Sequence, residues 1–228
     1  MLREGNNGGR TEKIKRVAGI ILAAGKSIRM GQPKQLLLVG KKPLLAIIVE
    51  SALASRLDLV VLVLGYEAER IRVTLDSLLF HEKLRVVTNN EFEKGLSASL
   101  IAGLRFVERT HEGAMFLLGD QPFVRPEHID ILIDRYRYSN AHICVPVYGI
   151  RRGNPALFDK RLYRELKKLQ GDVGGRSLLK KEGIHVLEIE MEDVGQTIDI
   201  DTKSDLKKVH ERMFGKKPLI AKRHRFIL

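Results

Sequence analysis

The sequence lacks several features that would place it in common functional classes. Its 228 residues include one cysteine, no tryptophan and seven scattered histidines. One cysteine cannot form an intrachain disulfide or a cysteine-rich zinc site, and the histidines show no zinc-binding spacing. Apolar neighbours indicate that Cys144 is a core residue. We therefore expect neither a disulfide nor a zinc site. No apolar run approaches the ~20 residues of a membrane-spanning helix, so membrane insertion is not expected either.

Familiar catalytic and targeting motifs are also missing. The chain contains neither Gly-x-x-x-x-Gly-Lys-[Ser/Thr] nor Gly-x-Gly-x-x-Gly, and it lacks Gly-x-Ser-x-Gly. A Walker A loop is therefore excluded, and a serine hydrolase is disfavoured. The first residues are charged and rich in Gly and Asn, without the apolar region of a secretory signal. We expect a cytoplasmic protein that does not bind membranes.

The net charge of +12 is concentrated at the two ends of the sequence. Residues 1–16 carry five basic and two acidic side chains, and residues 203–228 carry nine basic and two acidic ones. The intervening residues are nearly balanced, with 26 basic and 24 acidic side chains. Basic ends can raise solubility or attract polyanions without forming a specific site, so we do not expect specific nucleic-acid binding.

The order of apolar runs predicts one α/β domain. We predict a disordered leader at 1–16, a single domain at 17–214 and a basic C-terminal tail at 215–228. Strand-like runs alternate with helical patterns, which indicates a mainly parallel sheet covered on both faces. Predicted strands are 17–22, 59–64, 84–87, 114–118, 143–147 and 185–189. Predicted helices are 44–55, 68–79, 97–108, 127–138, 162–169, 176–181 and 204–213.

The segment 20–34 is the most informative about function. An apolar strand ends there in small residues, glycines and the cations Lys26, Arg29 and Lys34. Exposed backbone N–H groups, small side chains and positive charge are what phosphate oxygens require. We interpret the segment as a phosphate-binding loop, although an ordinary Gly-rich turn would look similar.

Two acidic segments predict a metal site. Asp120 follows an apolar strand directly, at the edge where ligands of parallel sheets bind, and its carboxylate would suit Mg²⁺. Asp199 and Asp201 are two residues apart and would share a face of an extended segment, which is costly unless a cation lies between them. The alternatives are a helix cap or solvated turn for Asp120, and a cap on the last helix for Asp201.

Three further segments have polar or glycine-rich patterns. Residues 88–100 combine a turn, a glycine and a serine-rich helix start, whose N–H groups we expect to be free for base or phosphate oxygens. Capping by Ser97 would explain that pattern equally well. Segments 151–155 and 171–176 have no obvious core role and would suit a phosphate monoester, although a solvated basic turn is nearly as good an explanation.

Several of these blocks, in this order, resemble one family. The pattern Leu22-Ala23-Ala24-Gly25-x-Ser27-x-Arg29-Met30-Gly31-x-x-Lys34 is similar to the signature loop of nucleotidyltransferases that share the molybdopterin guanylyl- and cytidylyltransferase fold. Gly119–Pro122, Thr197–Thr202 and the segment 88–100 resemble later blocks of the family. The similarity spans about 17–213 and implies a Rossmann-like, three-layer α/β/α fold of the nucleotide-diphospho-sugar transferase type.

The resemblance implies roles for individual residues. Catalytic residues would be Arg29, Lys34 and Asp120, and the metal ligands would be Asp120 and Asp201, with Asp199 in support. The implied cofactor is Mg²⁺, with Mn²⁺ as an alternative. The implied nucleotide-binding residues are Leu22, Ala23, Ala24, Gly25, Ser27, Arg29, Lys34, Asn89, Gly95, Ser99 and Asp120. The implied acceptor-binding residues are Gln121, Arg152, Gly153, Asn154, Asp172 and Arg176; family members often have His where Asn154 stands.

The implied reaction joins CMP from CTP to the terminal phosphate of molybdopterin or its molybdenum form, with release of pyrophosphate. Ala24-Gly25 is typical of the cytidylyl branch, whereas the guanylyl branch usually has Gly-Gly. A methyl group near the base could exclude a purine, although such a contact discriminates by only about 1–3 kcal/mol.

Partners would be CTP or GTP, the phosphate acceptor, and a recipient molybdoenzyme or its chaperone. Alternative functions are a guanylyltransferase, a sugar- or polyol-phosphate nucleotidyltransferase, and a basic nucleic-acid-binding protein.

Overall fold

A computed structural model describes residues 14–27, 30–192 and 199–215. An eight-stranded sheet forms its centre, with strand order β10-β7-β9-β6-β1-β4-β5 and β8 paired to β7. The strands are β1 (Val17–Ala23), β4 (Leu59–Leu64), β5 (Leu84–Thr88), β6 (Gly113–Leu118), β7 (Ile143–Tyr148), β8 (Arg151–Arg152), β9 (Ala156–Asp159) and β10 (Val186–Glu190). A separate hairpin joins β2 (Leu38–Val39) to β3 (Lys42–Pro43).

Six helices within the described residues cover the sheet and its edge. They are α1 (Leu44–Ala54), α2 (Ala68–Leu79), α3 (Leu96–Val107), α4 (Pro126–Arg137), α5 (Tyr163–Leu166) and α6 (Lys203–Phe214). Short 3-10 turns occupy 34–36, 92–94, 160–162 and 175–180. No helix within the described ranges is both long and apolar enough to cross a membrane. The Rossmann-like α/β architecture predicted from the sequence is confirmed.

Alternation along β1 builds a core on each face of the sheet. Val17 and Ile21 join the apolar cluster with α1, α2 and α4, whereas Ile20 and Leu22 join the cluster with α3 and α5. Successive strand side chains point to opposite faces, so a continuous apolar run is what a doubly covered strand requires. Cys144 is fully buried, and burial raises the pKa of its thiol to about 12, as expected for a core residue.

The sheet departs from a fully parallel arrangement at β9. This strand lies between β6 and β7 and is antiparallel to both. It was not predicted, and neither were the short β2, β3 and β8. The helix predicted at 162–169 is a 3-10 turn at 160–162 followed by the short α5, and the helix predicted at 176–181 is a 3-10 turn at 175–180. Most of the predicted leader and tail, and residues 193–198, lie outside the described residues.

Candidate active site

Three predicted site residues meet at the carboxyl edge of the sheet. Lys34 Nζ lies 2.5 Å from Asp120 Oδ2 and 3.1 Å from Asp201 Oδ1. Lys34 begins the 3-10 turn before β2, whereas the other two follow β6 and precede α6. Parallel strands end at a common edge, which explains why residues distant in sequence converge there. The carboxylates of Asp120 and Asp201 are close enough to share one cation.

The carboxylates of Asp120 and Asp201 affect the ionisation of the Lys34 ammonium. Burial disfavours the charged form of Lys34, but the adjacent carboxylates, Asp120 above all, outweigh this effect and raise its pKa above the ordinary value. The second oxygen of Asp120, Oδ1, is buried and has no hydrogen-bond partner. A buried carboxylate oxygen without a partner is costly, so the position is suited to a ligand that is absent from the protein chain itself.

Two neighbouring side chains, Gln121 and Asp199, contact each other. Gln121 Nε2 donates a hydrogen bond of 2.5 Å to Asp199 Oδ1, and Gln121 Oε1 is buried without a partner. Desolvation, and then the negative charges of Asp120 and Asp201, raise the pKa of Asp199 despite this hydrogen bond. Gln121, a predicted acceptor-binding residue, therefore contacts Asp199, which also lines a second cavity described below.

The oxygen donors at this edge fit a hard divalent cation. Within 14–27, 30–192 and 199–215, no group of three or more His, Cys, Asp or Glu side chains has the arrangement of a metal site. Mg²⁺ is commonly held by only one or two carboxylates together with substrate phosphates, and it retains several waters. The orphaned Asp120 Oδ1 and the Asp201 carboxylate would suffice for such an ion.

A buried glutamine that the sequence interpretation missed holds the phosphate-binding loop. Gln35 Nε2 donates to the carbonyl oxygens of Ala23 and Gly25 at 3.0 and 3.1 Å, and its Oε1 accepts from Ser27 Oγ at 3.4 Å. The only sequence signal was a polar residue at the start of the apolar run that follows Lys34. Arg29 lies outside the described residues.

The methyl group of Ala24 does not occupy the position expected for a base-selecting contact. Ala24 is 4% exposed, and its Cβ would be 2.9 Å from a Cβ added at Gly65. Leu22 and Ala23 are buried with it at the end of β1. The methyl therefore packs against Gly65 inside the protein, so the steric argument for excluding a purine gains no support here, and the preference for CTP stays a prediction.

An open cleft of about 630 Å³ lies over the loop. Lys26 crosses it to form a 2.5 Å ion pair with Glu93, and its ammonium lies 5.8 Å from the centre of the Phe92 ring. Phe92 and Glu93 were not predicted, because the 3-10 turn that carries them has no recognisable motif. The cleft is lined by Gly25, Lys26, Ser27, Met30, Lys34, Phe92, Glu93, Asp172 and Asp201.

The start of α3 is closed by a distant segment, which overturns the expectation of free N–H groups there. Leu96 N–H donates to Asp172 Oδ1 at 3.3 Å, and Ser97 donates to the carbonyl of Gly171 through both its N–H and its Oγ. Gly95 has φ +96°, and a Cβ there would lie 2.4 Å from the Gly171 backbone. The close approach of the two segments therefore requires glycine.

Asn89 and Ser99 form a buried pair behind this helix start. Asn89 Nδ2 donates to Ser99 Oγ at 3.1 Å, and both residues are buried. The Asn89 backbone N–H also bonds to the Leu64 carbonyl at the end of β4. These contacts fix α3 against the edge of the sheet beside the cleft.

The predicted acceptor residues divide into two groups. Asn154 and Arg176 line a second cavity of about 240 Å³, together with Asp199 and mostly apolar side chains. Arg152 instead pairs with Glu188 at 2.5 Å on the sheet edge, and an added Cβ at Gly153 would meet the Tyr148 ring. The structure thus brings Asn154 and Arg176 to one cavity and turns Arg152 toward Glu188 on β10, and the roles of Arg152 and Gly153 in acceptor binding stay predictions.

Capping does not explain the two proposed metal ligands. The N-cap of α4 is Arg125, which exchanges hydrogen bonds with His128, and the N-cap of α6 is Thr202. The Thr202 side chain accepts from Asp205 N–H at 3.2 Å. Asp120 and Asp201 precede these caps, so helix capping does not explain their convergence on Lys34.

The sequence matches known proteins over most of its length. It is 32% identical over 200 residues to the purine catabolism protein PucB of Bacillus subtilis, covering 86% of this chain and 96% of that protein. It is 26% identical over 201 residues to a protein of Thermococcus sibiricus named "Probable molybdenum cofactor guanylyltransferase", covering 84% of this chain and 96% of that protein.

The fold matches a solved structure from Mycobacterium tuberculosis H37Rv. Rv0371c superposes with a TM-score of 0.75 at 31% identity, covering 86% of this chain and 98% of that one. A second structure of Rv0371c, in complex with manganese, gives a TM-score of 0.73. The MobA-like NTP transferase domain matches residues 19–186. The fold and the sequence agree, and the chain belongs to the family of MobA-like NTP transferase domains.

Proposed function

We propose that this protein transfers CMP from CTP to the terminal phosphate of a molybdopterin-type acceptor and releases pyrophosphate. The observation that carries the proposal is the meeting of Asp120 and Asp201 with Lys34 at the edge of the sheet. Two carboxylates and an ammonium at one point suit a metal–triphosphate complex. The reaction fits the family, and we place it in the cytoplasm.

The side chains divide the work between metal and phosphate. Asp120 and Asp201 would hold Mg²⁺ or Mn²⁺, which when bound neutralises charge on the phosphate oxygens. Lys34 is at present shared by those carboxylates, and its ammonium would turn to the phosphates once a metal cation replaces it. Lys26 and Arg29 are the further cations of the loop. No general base is needed, because the attacking phosphate is already ionised.

The second cavity favours a flat acceptor over a sugar. Its lining includes Leu100, Phe116 and Phe158, which offer few polar partners to sugar hydroxyls. Burying an unpaired hydroxyl costs free energy, whereas a planar heterocycle gains from apolar contact. Arg176 at the same cavity could pair with the acceptor phosphate. This composition supports a pterin-like acceptor.

The choice of CTP rests on the Ala24-Gly25 pair of the cytidylyl branch alone. The competing proposal, a guanylyltransferase, is supported by the name of the Thermococcus relative. Thermal shift separates the two: at equal concentrations, CTP with Mg²⁺ should raise the melting temperature more than GTP with Mg²⁺, since the ligand that binds the folded protein more tightly stabilises it more. Equal shifts would remove the base assignment but not the nucleotidyltransferase.

The decisive test is a pyrophosphate-release assay that crosses four nucleotides with candidate acceptors. We expect release with CTP, a divalent metal and molybdopterin, and release slowed about 10³-fold in the Asp120→Asn variant. A panel of sugar phosphates is the matched comparison for the acceptor. Release with a sugar phosphate but not molybdopterin would reject the acceptor, and folded protein inactive with every combination would reject the proposed reaction.

A further inference from the structure

A third apolar cluster lies beside the site and is separate from the two main cores. Its buried members are Val39, Leu44, Ile200 and Val209. Phe123 and two other partly buried side chains pack against it. This cluster, which we call the edge core, is built by the β2–β3 hairpin, the start of α1, the segment before α6, and α6 itself.

Each of the three converging site residues lies on a segment that enters the edge core. Lys34 precedes β2, which contributes Val39, and Asp120 is three residues from Phe123. Asp201 directly follows Ile200, which is fully buried. The relative positions of the ammonium and the two carboxylates are therefore set by how this small cluster packs, because close-packed interiors transmit displacement.

A backbone contact joins the two proposed metal ligands through the same cluster. Ile200 N–H donates to the Asp120 carbonyl at 3.2 Å. On the other side of Asp201, the Thr202–Asp205 capping box fixes the first turn of α6. Asp201 is thus held between a buried anchor and a capped helix, so the orientation of α6 determines where its carboxylate lies.

The far end of α6 is fastened to both of the other segments. The Phe214 ring covers the turn between β2 and β3, where a Cβ at Gly40, which has φ +66°, would lie 2.6 Å from Phe214 Cζ. The Arg212 guanidinium lies 5.3 Å from the centre of the Phe123 ring. These contacts oppose rotation of α6 away from the hairpin and from the turn that follows Asp120.

We propose that α6 is a positioning element for the metal, and that Phe214 and Val209 are its positioning residues. They touch neither metal nor substrate, and they act by holding Asp201 at the distance from Asp120 that one cation requires. The inference rests on the metal site of the proposed function. Supporting residues outside a metal's ligands commonly change its affinity by about tenfold or more.

The test is Mn²⁺ binding to the full chain, measured by electron paramagnetic resonance of the free ion without nucleotide. Phe214→Ala should weaken Mn²⁺ binding about tenfold, and Phe214→Tyr, which keeps the ring, should restore it. Met213→Ala is the matched control, because Met213 lies on the same helix at similar exposure, whereas the atoms nearest the Gly40 position are those of Phe214. Val209→Ala is the second variant and should also weaken binding.

The outcomes separate this inference from the proposed function. Asp120→Asn should abolish binding if the metal site is correct. Loss in Asp120→Asn, with Phe214→Ala equal to Met213→Ala, would overturn the positioning role and leave the metal site standing. Equal weakening of Mn²⁺ binding by Phe214→Ala and Met213→Ala would also overturn it, since general loosening of α6 would then explain the weaker binding. Mn²⁺ binding unaffected by Asp120→Asn would reject the metal site and the inference together.

Discussion

The two edges of the sheet treat buried carboxylates in opposite ways. At the amino edge, Asp159 accepts hydrogen bonds from Tyr136 Oη at 2.8 Å and from Arg161 at 2.7 Å. Asp58, which is exposed at the same edge, accepts from Val17 N–H at 2.8 Å. At the carboxyl edge, Asp120 Oδ1 and Gln121 Oε1 are buried without hydrogen-bond partners. At the first edge these aspartates are paired within the protein, although His111 Nε2 is buried there without a partner, and at the second edge the oxygens of Asp120 and Gln121 are available for a ligand.

This contrast separates stability from function in one sheet. Unpaired buried polar atoms cost free energy in the folded state, so a carboxyl edge that keeps them is less stable than it could be. Substitutions there should damage activity with little loss of stability, and substitutions at the amino edge should do the reverse.

The largest expected effect is on catalysis at the carboxyl edge. Asp120→Asn should reduce pyrophosphate release about 10³-fold, because the proposed metal loses a charged ligand. The free energy of unfolding should change by less than about 1 kcal/mol, since the carboxylate was incompletely satisfied. Urea unfolding and the release assay measure both. Asp58→Asn is the amino-edge control and should retain activity; greater destabilisation by Asp120→Asn than by Asp58→Asn would contradict the contrast.

The next effect is a change of opposite sign in two measurements. Lys34→Gln should slow pyrophosphate release about 10²-fold, because a cation at the phosphates is lost. It should also tighten Mn²⁺ binding in the absence of nucleotide by roughly two- to fivefold, because an ammonium no longer competes for the carboxylates. Mn²⁺ titration and steady-state kinetics test this pair. Weaker Mn²⁺ binding in the variant would show that Lys34 organises the carboxylates rather than competing with a metal.

At the amino edge the expected effect is on stability and its pH dependence. Burial would raise the pKa of Asp159, but hydrogen bonds from Arg161 and Tyr136 outweigh it and hold that pKa below the ordinary value. Asp159→Asn should cost about 2 kcal/mol at pH 7. Because the pKa of Asp159 is lower in the folded state, its ionised carboxylate stabilises the protein at pH values above the unfolded pKa of about 3.9. This stabilisation is lost as the pH falls through the folded pKa. The free energy of unfolding, measured at pH 7 and below pH 4, should differ less between the wild-type protein and Asp159→Asn at the lower pH. A difference that stays constant would exclude ionisation of Asp159 as its source.

The smallest expected effect concerns base selection. Ala24→Gly should change the ratio of CTP to GTP activity by less than about threefold, because the methyl group is buried against Gly65. It should instead destabilise the protein by about 1 kcal/mol. Competition kinetics with both nucleotides provides the measurement. A tenfold shift toward GTP would return base selection to this position.

Local patterns were sufficient to predict most of the sheet but not β9. The parallel strands are apolar on both faces and long enough to recognise from composition. By contrast, Ala156–Asp159 is four residues long and follows a proline, which obscures a strand signal. The position of Asp120 followed from the rule that ligands bind at the carboxyl ends of parallel strands. The position of Asp201 depended on the family resemblance.

Long-range contacts at the site could not be predicted from the sequence. Nothing near Gly95 indicates that Gly171 and Asp172 would take the N–H groups of α3, since 76 residues separate Leu96 from Asp172. The bonds of Gln35 to the loop likewise depend on how the chain folds back after Pro33. Residue types identify what a side chain can do, but only the tertiary fold decides which partner it finds.

The reversed direction of β9 divides the sheet into two halves. β6, β1, β4 and β5 lie on one side of it and β7, β8 and β10 on the other, and β9 begins beside the second cavity, two residues after Asn154. An insertion or deletion in the loop leading into β9 would reshape that cavity without shifting the register of any strand in the other half. Under the proposed function, such a change would alter acceptor choice and leave the residues proposed to bind the triphosphate unchanged.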